Sequence, residues 1–346
     1  MERIELGRTG IEVSAWCLGT MTWGRQTDEA GGHAQLDRAL DAGIDFVDTA
    51  EMYPVNPVTA ETVGDTEAVI GNWIRRTGRR DDIVLATKCT GPSPLVRDHA
   101  PITPETLRTA LEGSLARLAT DHVDLYQLHW PNRGSFHFRK AWDFDPTGQD
   151  AAEVRDNFAA LMETLAAFVA EGKIRAFGLS NDSAWGICRW QDAAAAANGP
   201  RVATIQNEYS LLCRQFDTDL AEACYNEDVT LLAYSPLAAG LLTGKYQDGQ
   251  VPAASRKATN ETLGGRATDR AFDAVGAYLD LAEQHGIDPV HLALAWTRTR
   301  PVATIPIFGA TNMEQLERVI DGVETRLDET VLEEIADIHR SHPMPY

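Results

Sequence analysis

Three short apolar runs of this chain each end in a side chain of complementary chemistry. Phe46-Val47-Asp48 ends in a carboxylate, Leu85-Ala86-Thr87-Lys88 in an ammonium and Leu125-Tyr126-Gln127-Leu128-His129 in an imidazole, while Tyr53 follows Asp48 by five residues. A charge taken out of water is costly unless paired, and Asp48 with Lys88 is such a pair if the runs lie side by side. A phenol beside a lysine ammonium has its ionised form favoured, so this set predicts a Tyr53 pKa lowered from about 10 and a general acid for a developing alkoxide. His129 then donates a hydrogen bond to a carbonyl oxygen, and Asp48 holds Lys88 in place. None of these groups is a hydride source, so the chemistry requires a cofactor. Ser180-Asn181, Gln206-Asn207 and Tyr234-Ser235 end three later runs. Amides of this kind bond a carboxamide, and an aromatic face stacks on a ring.

Positioning these groups falls to the apolar runs themselves. They begin near Trp16, Asp45, Ile83, Val123, Ala176, Ala203, Thr230 and Val302 and alternate with stretches of helical period, the pattern of parallel strands joined by crossover helices. Thr103-Pro104-Glu105 reads as N-cap, first-turn proline and first-turn acid, followed by Leu107, Leu111, Leu115 and Leu118 on one face; Asp288-Pro289 repeats the start signal. Phe158, Leu161, Met162, Leu165, Phe168 and Val169 form another stripe, stopped by Gly172. At the front, Arg3 to Val13 alternates around Gly7-Arg8-Thr9-Gly10 and reads as a β-hairpin plugging one end of the sheet. The tail after Leu327 predicts a last amphipathic helix with Val331, Leu332, Ile335 and Ile338 on its apolar face. Two intervals, Pro131 to about Ala152 and Pro236 to about Asp269, are too long for a helix alone. Both follow strands, so in a barrel they lie at the C-terminal mouth, where long loops act as lids.

Composition narrows the partners. The 346 residues are 44% apolar and 24% charged, which fits a soluble globular protein of one large barrel or two domains. With 51 acidic against 31 basic side chains, a net charge of −20 repels phosphate backbones and argues against nucleic acid. No run of 18 apolar residues occurs, and the opening Met1-Glu2-Arg3-Ile4-Glu5 is no apolar signal, so a cytoplasmic protein without a membrane partner is expected. The five cysteines are scattered without a CxxC pair; Cys89 beside Lys88 is expected to be a buried inert thiol. Gly240 to Lys245 has three residues between its glycines and Tyr246 where a phosphate loop needs Ser or Thr. His339 and His342 lack accompanying carboxylates or cysteines, so no metal is expected.

Taken together, Asp48-Thr49-Ala50-Glu51-Met52-Tyr53, Ala86-Thr87-Lys88, Leu128-His129-Trp130-Pro131, Gly178-Leu179-Ser180-Asn181, Gln206-Asn207-Glu208-Tyr209-Ser210 and Ala233-Tyr234-Ser235-Pro236-Leu237 resemble the aldo-keto reductase superfamily. Ala50 to Val55 and Tyr126 to Pro131 are most like its Tas-type NADP(H)-dependent branch, and the resemblance runs from Leu6-Gly7 to about Ile338. It implies a single α/β domain over residues 1–346, a (β/α)8 TIM barrel with an N-terminal β-hairpin and a C-terminal helix, binding NADP(H) across the strand ends. Asp48, Tyr53, Lys88 and His129 match the family's catalytic tetrad. By the same carry-over Ser180, Asn181 and Gln206 hold the carboxamide, Tyr234 stacks on the nicotinamide, and Ser235, Pro236, Leu237, Ala238 and Ala239 line the pyrophosphate. Thr20, Met21 and Gln26 also fall to the cofactor, and Gly309, Thr311 and Gln315 to its adenosine half. Gln315-Leu316 is followed by Glu317-Arg318-Val319 where the superfamily often has Glu-Asn, so a preference for NADP over NAD rests on Lys245, Arg256 and Arg318 as phosphate partners. Trp23, Trp130 and Trp142, with Tyr53 and His129, suggest an aromatic pocket for a small-molecule carbonyl. Specificity is expected in the loops around Trp23, Pro54 to Asp65, Trp130 to Asp150 and the tail. The implied activity is NADPH-dependent reduction of aldehydes or ketones, reversible in principle. A second reading is an NADP-binding regulatory or redox-sensing subunit with slow turnover. Channel-associated β-subunits of that kind typically place asparagine where this chain has His129, which favours the enzyme.

Overall fold

The computed structural model describes residues 1–55 and 57–346; Asn56, inside the expected specificity loop from Pro54 to Asp65, lies outside the described residues. Among these, β1 (Arg3–Glu5) and β2 (Glu12–Ser14) pair antiparallel as a hairpin. The strands β3 (Cys17–Gly19), β4 (Phe46–Asp48), β5 (Val84–Cys89), β6 (Val123–Leu128), β7 (Ile174–Ser180), β8 (Val202–Glu208), β9 (Thr230–Tyr234) and β10 (Thr304–Phe308) pair parallel and close with β10 beside β3. This is the expected (β/α)8 barrel. Its helices are α1 (Glu29–Asp41), α2 (Asp65–Thr77), α3 (Pro104–Leu118), α4 (Ala151–Ala170), α5 (Ala184–Ala197), α6 (Asp219–Glu227), the short α7 (Arg256–Thr259), α8 (Asp269–Gln284), α9 (Pro289–Thr297), α10 (Met313–Ile320) and α11 (Glu329–Ser341).

The helix starts follow from their caps. Thr103 accepts from the Thr106 N–H with Pro104 at the first position of α3, and Asp288 accepts from Val290 N–H to open α9. Leu107, Leu111, Leu115 and Leu118 are all buried. On α4 the stripe from Phe158 to Phe168 is buried, whereas Val169 lies one residue beyond the buried face and is exposed.

Inside the barrel the period of two along each strand separates core from chemistry. Phe46, Ala86, Leu125, Ala176, Leu232 and Ile305 pack in one interior cluster with Leu6, Ile11 and Val13 of the hairpin segment, which therefore plugs the N-terminal end. Each plugging side chain contributes about 1.5–3 kcal/mol by leaving water. Gly7 turns there with φ +56°, where a Cβ would meet the carbonyl oxygens of Ala203 and Asp228 at 2.9 Å. Two residues further along the same strands stand Asp48, Lys88, Gln127, Gly178 and Tyr234. The glycine is required in that layer, since a Cβ at Gly178 would lie 2.2 Å from Thr204 Oγ1. An apolar plug thus supports a polar layer that opens to the mouth.

Candidate active site

The polar layer is organised around a lysine with no exposed surface. Lys88 Nζ donates to Asp48 Oδ2 at 2.7 Å, to the Thr49 carbonyl at 2.7 Å and to Tyr53 Oη at 3.4 Å. Asp48 Oδ1 accepts from Gln206 Nε2 at 2.8 Å and from Gln127 Nε2 at 3.3 Å. Both carboxylate oxygens are therefore occupied by protein donors, and all three ammonium hydrogens have oxygens to meet. His129 stands edge-on to Tyr53, with ring centroids 5.8 Å apart, and its Nδ1 is buried without a hydrogen-bond partner. The strand ends thus bring together all four residues singled out by their chemistry.

Burial changes one expectation. Tyr53 was expected below its ordinary pKa, but desolvation outweighs the nearby Lys88 ammonium and the net shift is upward. Burial alone drives Lys88 down, yet Asp48 and then Tyr53 more than offset it and the ammonium is held above its usual range. Burial, then the Lys88 charge, push His129 well below the ordinary imidazole value, so at neutral pH the ring is uncharged. The phenol is accordingly protonated and the imidazole neutral in the ligand-free site. Near-ultraviolet difference titration of the wild-type protein against Tyr53→Phe is expected to show this phenol ionising only above about pH 10; a transition below that value would contradict the burial argument.

The expected carboxamide-binding residues are present as one network bonded within itself. Ser180 Oγ donates to the Gln206 carbonyl at 2.9 Å, Asn181 Nδ2 to the His129 carbonyl at 2.9 Å, and Tyr234 Oη to Asn181 Oδ1 at 2.8 Å. Asn181 adopts φ +52°, which turns its amide across three strand ends. A ligand amide bound here has to exchange for some of these bonds.

Beyond Tyr234 the chain leaves the barrel through Ser235, Pro236, Leu237, Ala238 and Ala239, with positive φ at Ser235, Ala238, Ala239 and Gly240. Arg256 is partly buried, has no carboxylate partner among the described residues, and makes one long contact to Met21 Sδ at 4.0 Å. Burial and the nearby Arg266 lower its pKa to about 10, so it is still a cation at neutral pH. Lys245 lies over the Tyr246 ring at 5.1 Å, and the buried Tyr246 Oη and Ser255 Oγ lack partners. Cationic groups and unsatisfied hydroxyls beside one strand end are the donor set that suits a phosphorylated ligand. Thr20 bonds the Asp48 carbonyl at 2.9 Å, and Gln26 is exposed in the turn between Trp23 and Thr27. Gly309 follows β10, and Thr311 N–H donates to Gln315 Oε1 at 3.0 Å. Arg318, by contrast, is engaged in a two-point ion pair with Asp288 at 2.9 and 3.1 Å, and Glu317 is paired with Arg38.

Trp130 borders the mouth, tilted against His129 at 4.9 Å and edge-on to Phe138 at 5.9 Å. The pocket role expected of Trp23 is corrected: its ring is fully buried against α1, where a Cβ at Gly32 would meet it at 2.9 Å, and its Nε1–H donates to Gln35 at 3.0 Å. Trp142 is 72% exposed and borders a small cavity beside Phe138, Glu208 and Tyr346. Cys89 is buried, with its thiol pushed up to about 12 by desolvation, and is inert as expected. Sequence reasoning missed Gln127, although it precedes His129 by two residues and so shares its face. It also missed Glu208, which ends β8 at the mouth and accepts from Arg139, Arg266 and Tyr346.

Residues 15–340 match the Aldo/keto reductase family, and the chain belongs to it. Membership makes it an oxidoreductase. The chain is 41% identical over 349 residues to "Protein tas" of Escherichia coli, covering 100% of this chain and 99% of that protein. It is 35% identical to "Uncharacterized oxidoreductase YrpG" of Bacillus subtilis over 98% of this chain and 96% of that one. "Norsolorinic acid reductase stcV" of Emericella nidulans is 27% identical over 95% of this chain and 79% of its own length.

Proposed function

We propose that the protein reduces aldehydes or ketones to alcohols with NADPH. The observation that carries this reading is the buried Asp48–Lys88 pair aimed at a protonated Tyr53, beside a neutral His129 whose Nδ1 has no partner. When bound, the nicotinamide cofactor supplies hydride to the carbonyl carbon. Tyr53 hydrogen-bonds the carbonyl oxygen and transfers its proton there as negative charge develops. Lys88, fixed by Asp48 and the Thr49 carbonyl, stabilises the phenolate that remains. The neutral imidazole of His129 carries one N–H and orients the same oxygen. Lys245 and Arg256 would hold phosphate groups of the cofactor, with Ser235 to Ala239 beneath the pyrophosphate and Tyr234 against the nicotinamide. Trp130 would give the carbonyl compound an aromatic wall. Relatives at 27% identity are named norsolorinic acid reductases, which supports the reductase reading.

The test is fluorescence titration with NADPH and NADH, followed by absorbance of the reduced nicotinamide on adding a panel of carbonyl compounds. Tight NADPH binding with carbonyl-dependent oxidation is expected, whereas binding without turnover would move the reading to a regulatory subunit. Arg256→Gln is expected to weaken NADPH by roughly tenfold or more, as loss of a charge-assisted phosphate contact does. Equal affinity of wild type and variant would remove Arg256 from the phosphate site.

A further inference from the structure

The mouth carries a second polar centre with no part in the proton chemistry. Glu208, 8% exposed at the end of β8, accepts from Arg266 Nε at 2.7 Å and Tyr346 Oη at 3.1 Å on Oε1, and from Arg139 Nη1 at 2.9 Å on Oε2. Its three partners come from three separate segments. Arg139 belongs to the long loop between β6 and α4, Arg266 to the long loop between β9 and α8, and Tyr346 to the segment after α11. The last of these is also tied down by Thr268 Oγ1 to the Pro345 carbonyl at 2.7 Å and by Arg270 to the Pro343 and Met344 carbonyls. Local geometry accommodates the convergence: Gly264 and Gly265 take φ +69° and +86°, and a Cβ on Gly265 would meet Arg139 Cδ at 3.1 Å. A small cavity bordered by His137, Phe138, Trp142, Met344 and Tyr346 lies directly beside the carboxylate.

A buried ion cluster adds little net stability, so its position needs a different account. The first loop carries Phe138, packed on Trp130 at the carbonyl side of the mouth. The second carries Lys245 and Arg256 on the cofactor side, and Arg266 is close enough to Arg256 to lower its pKa. Glu208 also pairs in register with Tyr234 across β8 and β9. One rigid strand end therefore fastens the substrate-side loop, the cofactor-side loop and the final segment together.

We propose that Glu208 is a clasp making these three segments a single lid, so that the cofactor leaves only when the substrate-side loop is also released. This rests on the reading of the site as one that holds NADPH. Glu208 is a positioning residue here, acting through Arg139, Arg266 and Tyr346. The experiment compares wild type with Glu208→Gln, Arg139→Met and Tyr346→Phe, each checked for a native-like melt by circular dichroism. NADPH release is followed by stopped-flow fluorescence, and tryptic cleavage after Lys140 and Lys257 is timed without cofactor. Release about tenfold faster or more in Glu208→Gln, with a smaller change in the same direction for Tyr346→Phe, is expected alongside faster cleavage in both loops. Hydride transfer in a single turnover at saturating carbonyl is expected to stay at the wild-type rate. Unchanged release in folded variants overturns the proposal, and so does faster cleavage with unchanged release, which would make the cluster a structural tie only. If the wild-type protein fails to bind NADPH, the functional reading fails while the cleavage pattern still judges the clasp: opening confined to one loop in Glu208→Gln would overturn it.

Discussion

Tyr53→Phe is expected to lower kcat for carbonyl reduction by roughly 10³-fold or more while NADPH affinity stays within about twofold of wild type. The other candidate donors at the mouth are poorly placed to compensate. Lys88 is held as an ammonium by Asp48 and the Thr49 carbonyl, and its raised pKa makes loss of its proton unfavourable. His129 is neutral because burial and the Lys88 charge depress its pKa, so at neutral pH it can donate a hydrogen bond but is a weak proton source. Tyr53 alone is both protonated and within 3.4 Å of a fixed cation that can stabilise its conjugate base. The phenylalanine ring keeps the packing against His129 and the 4.8 Å contact of Lys88 over the ring face, so the loss should appear in the chemical step. A variant with kcat within tenfold of wild type would exclude Tyr53 as the donor.

The barrel was legible because parallel strands buried on both faces read as continuous apolar runs, and each observed barrel strand begins within two residues of its expected start. Caps such as Thr103 and Asp288 were equally readable, since they act over three residues. The Asp48–Lys88 pair was inferred across adjacent strands from charge alone, because an unpaired buried charge is so costly. What escaped depends on distant atoms. Trp23 and Trp130 are the same residue type in similar positions, yet the absent side chain of Gly32 lets Trp23 turn into the core. The partners of Glu208 lie 58, 69 and 138 residues away in sequence, beyond any local pattern. The ion pair of Arg318 with Asp288, which also caps α9, spans 30 residues and has no local sign in the sequence. The sign of the Tyr53 shift depended on how completely the mouth is desolvated, which residue types do not state.

The buried pair itself gives the second large effect, and separates stability from chemistry. Removing Lys88 as Lys88→Met leaves Asp48 in the barrel with only the Gln206 and Gln127 amides as donors, and is expected to cost about 3–5 kcal/mol of folding free energy. Asp48→Asn leaves the ammonium buried against the Thr49 carbonyl and Tyr53, and should destabilise in the same range. The double variant removes both charges from a buried site, so most of the loss should return, because a neutral pair avoids the desolvation that the ion pair must offset. Activity follows a different course. All three variants lose the cation that stabilises the Tyr53 phenolate or the carboxylate that holds it, so none should regain turnover. Denaturant unfolding and steady-state kinetics on the four proteins measure both quantities. A double variant as unstable as the sum of the singles would show that the charges do not compensate each other, and a stable, active Lys88→Met would remove Lys88 from the mechanism. Recovery of stability without recovery of rate would mean that the Asp48–Lys88 pair occupies the barrel centre for the proton chemistry at Tyr53, while the apolar plug beneath it carries the fold.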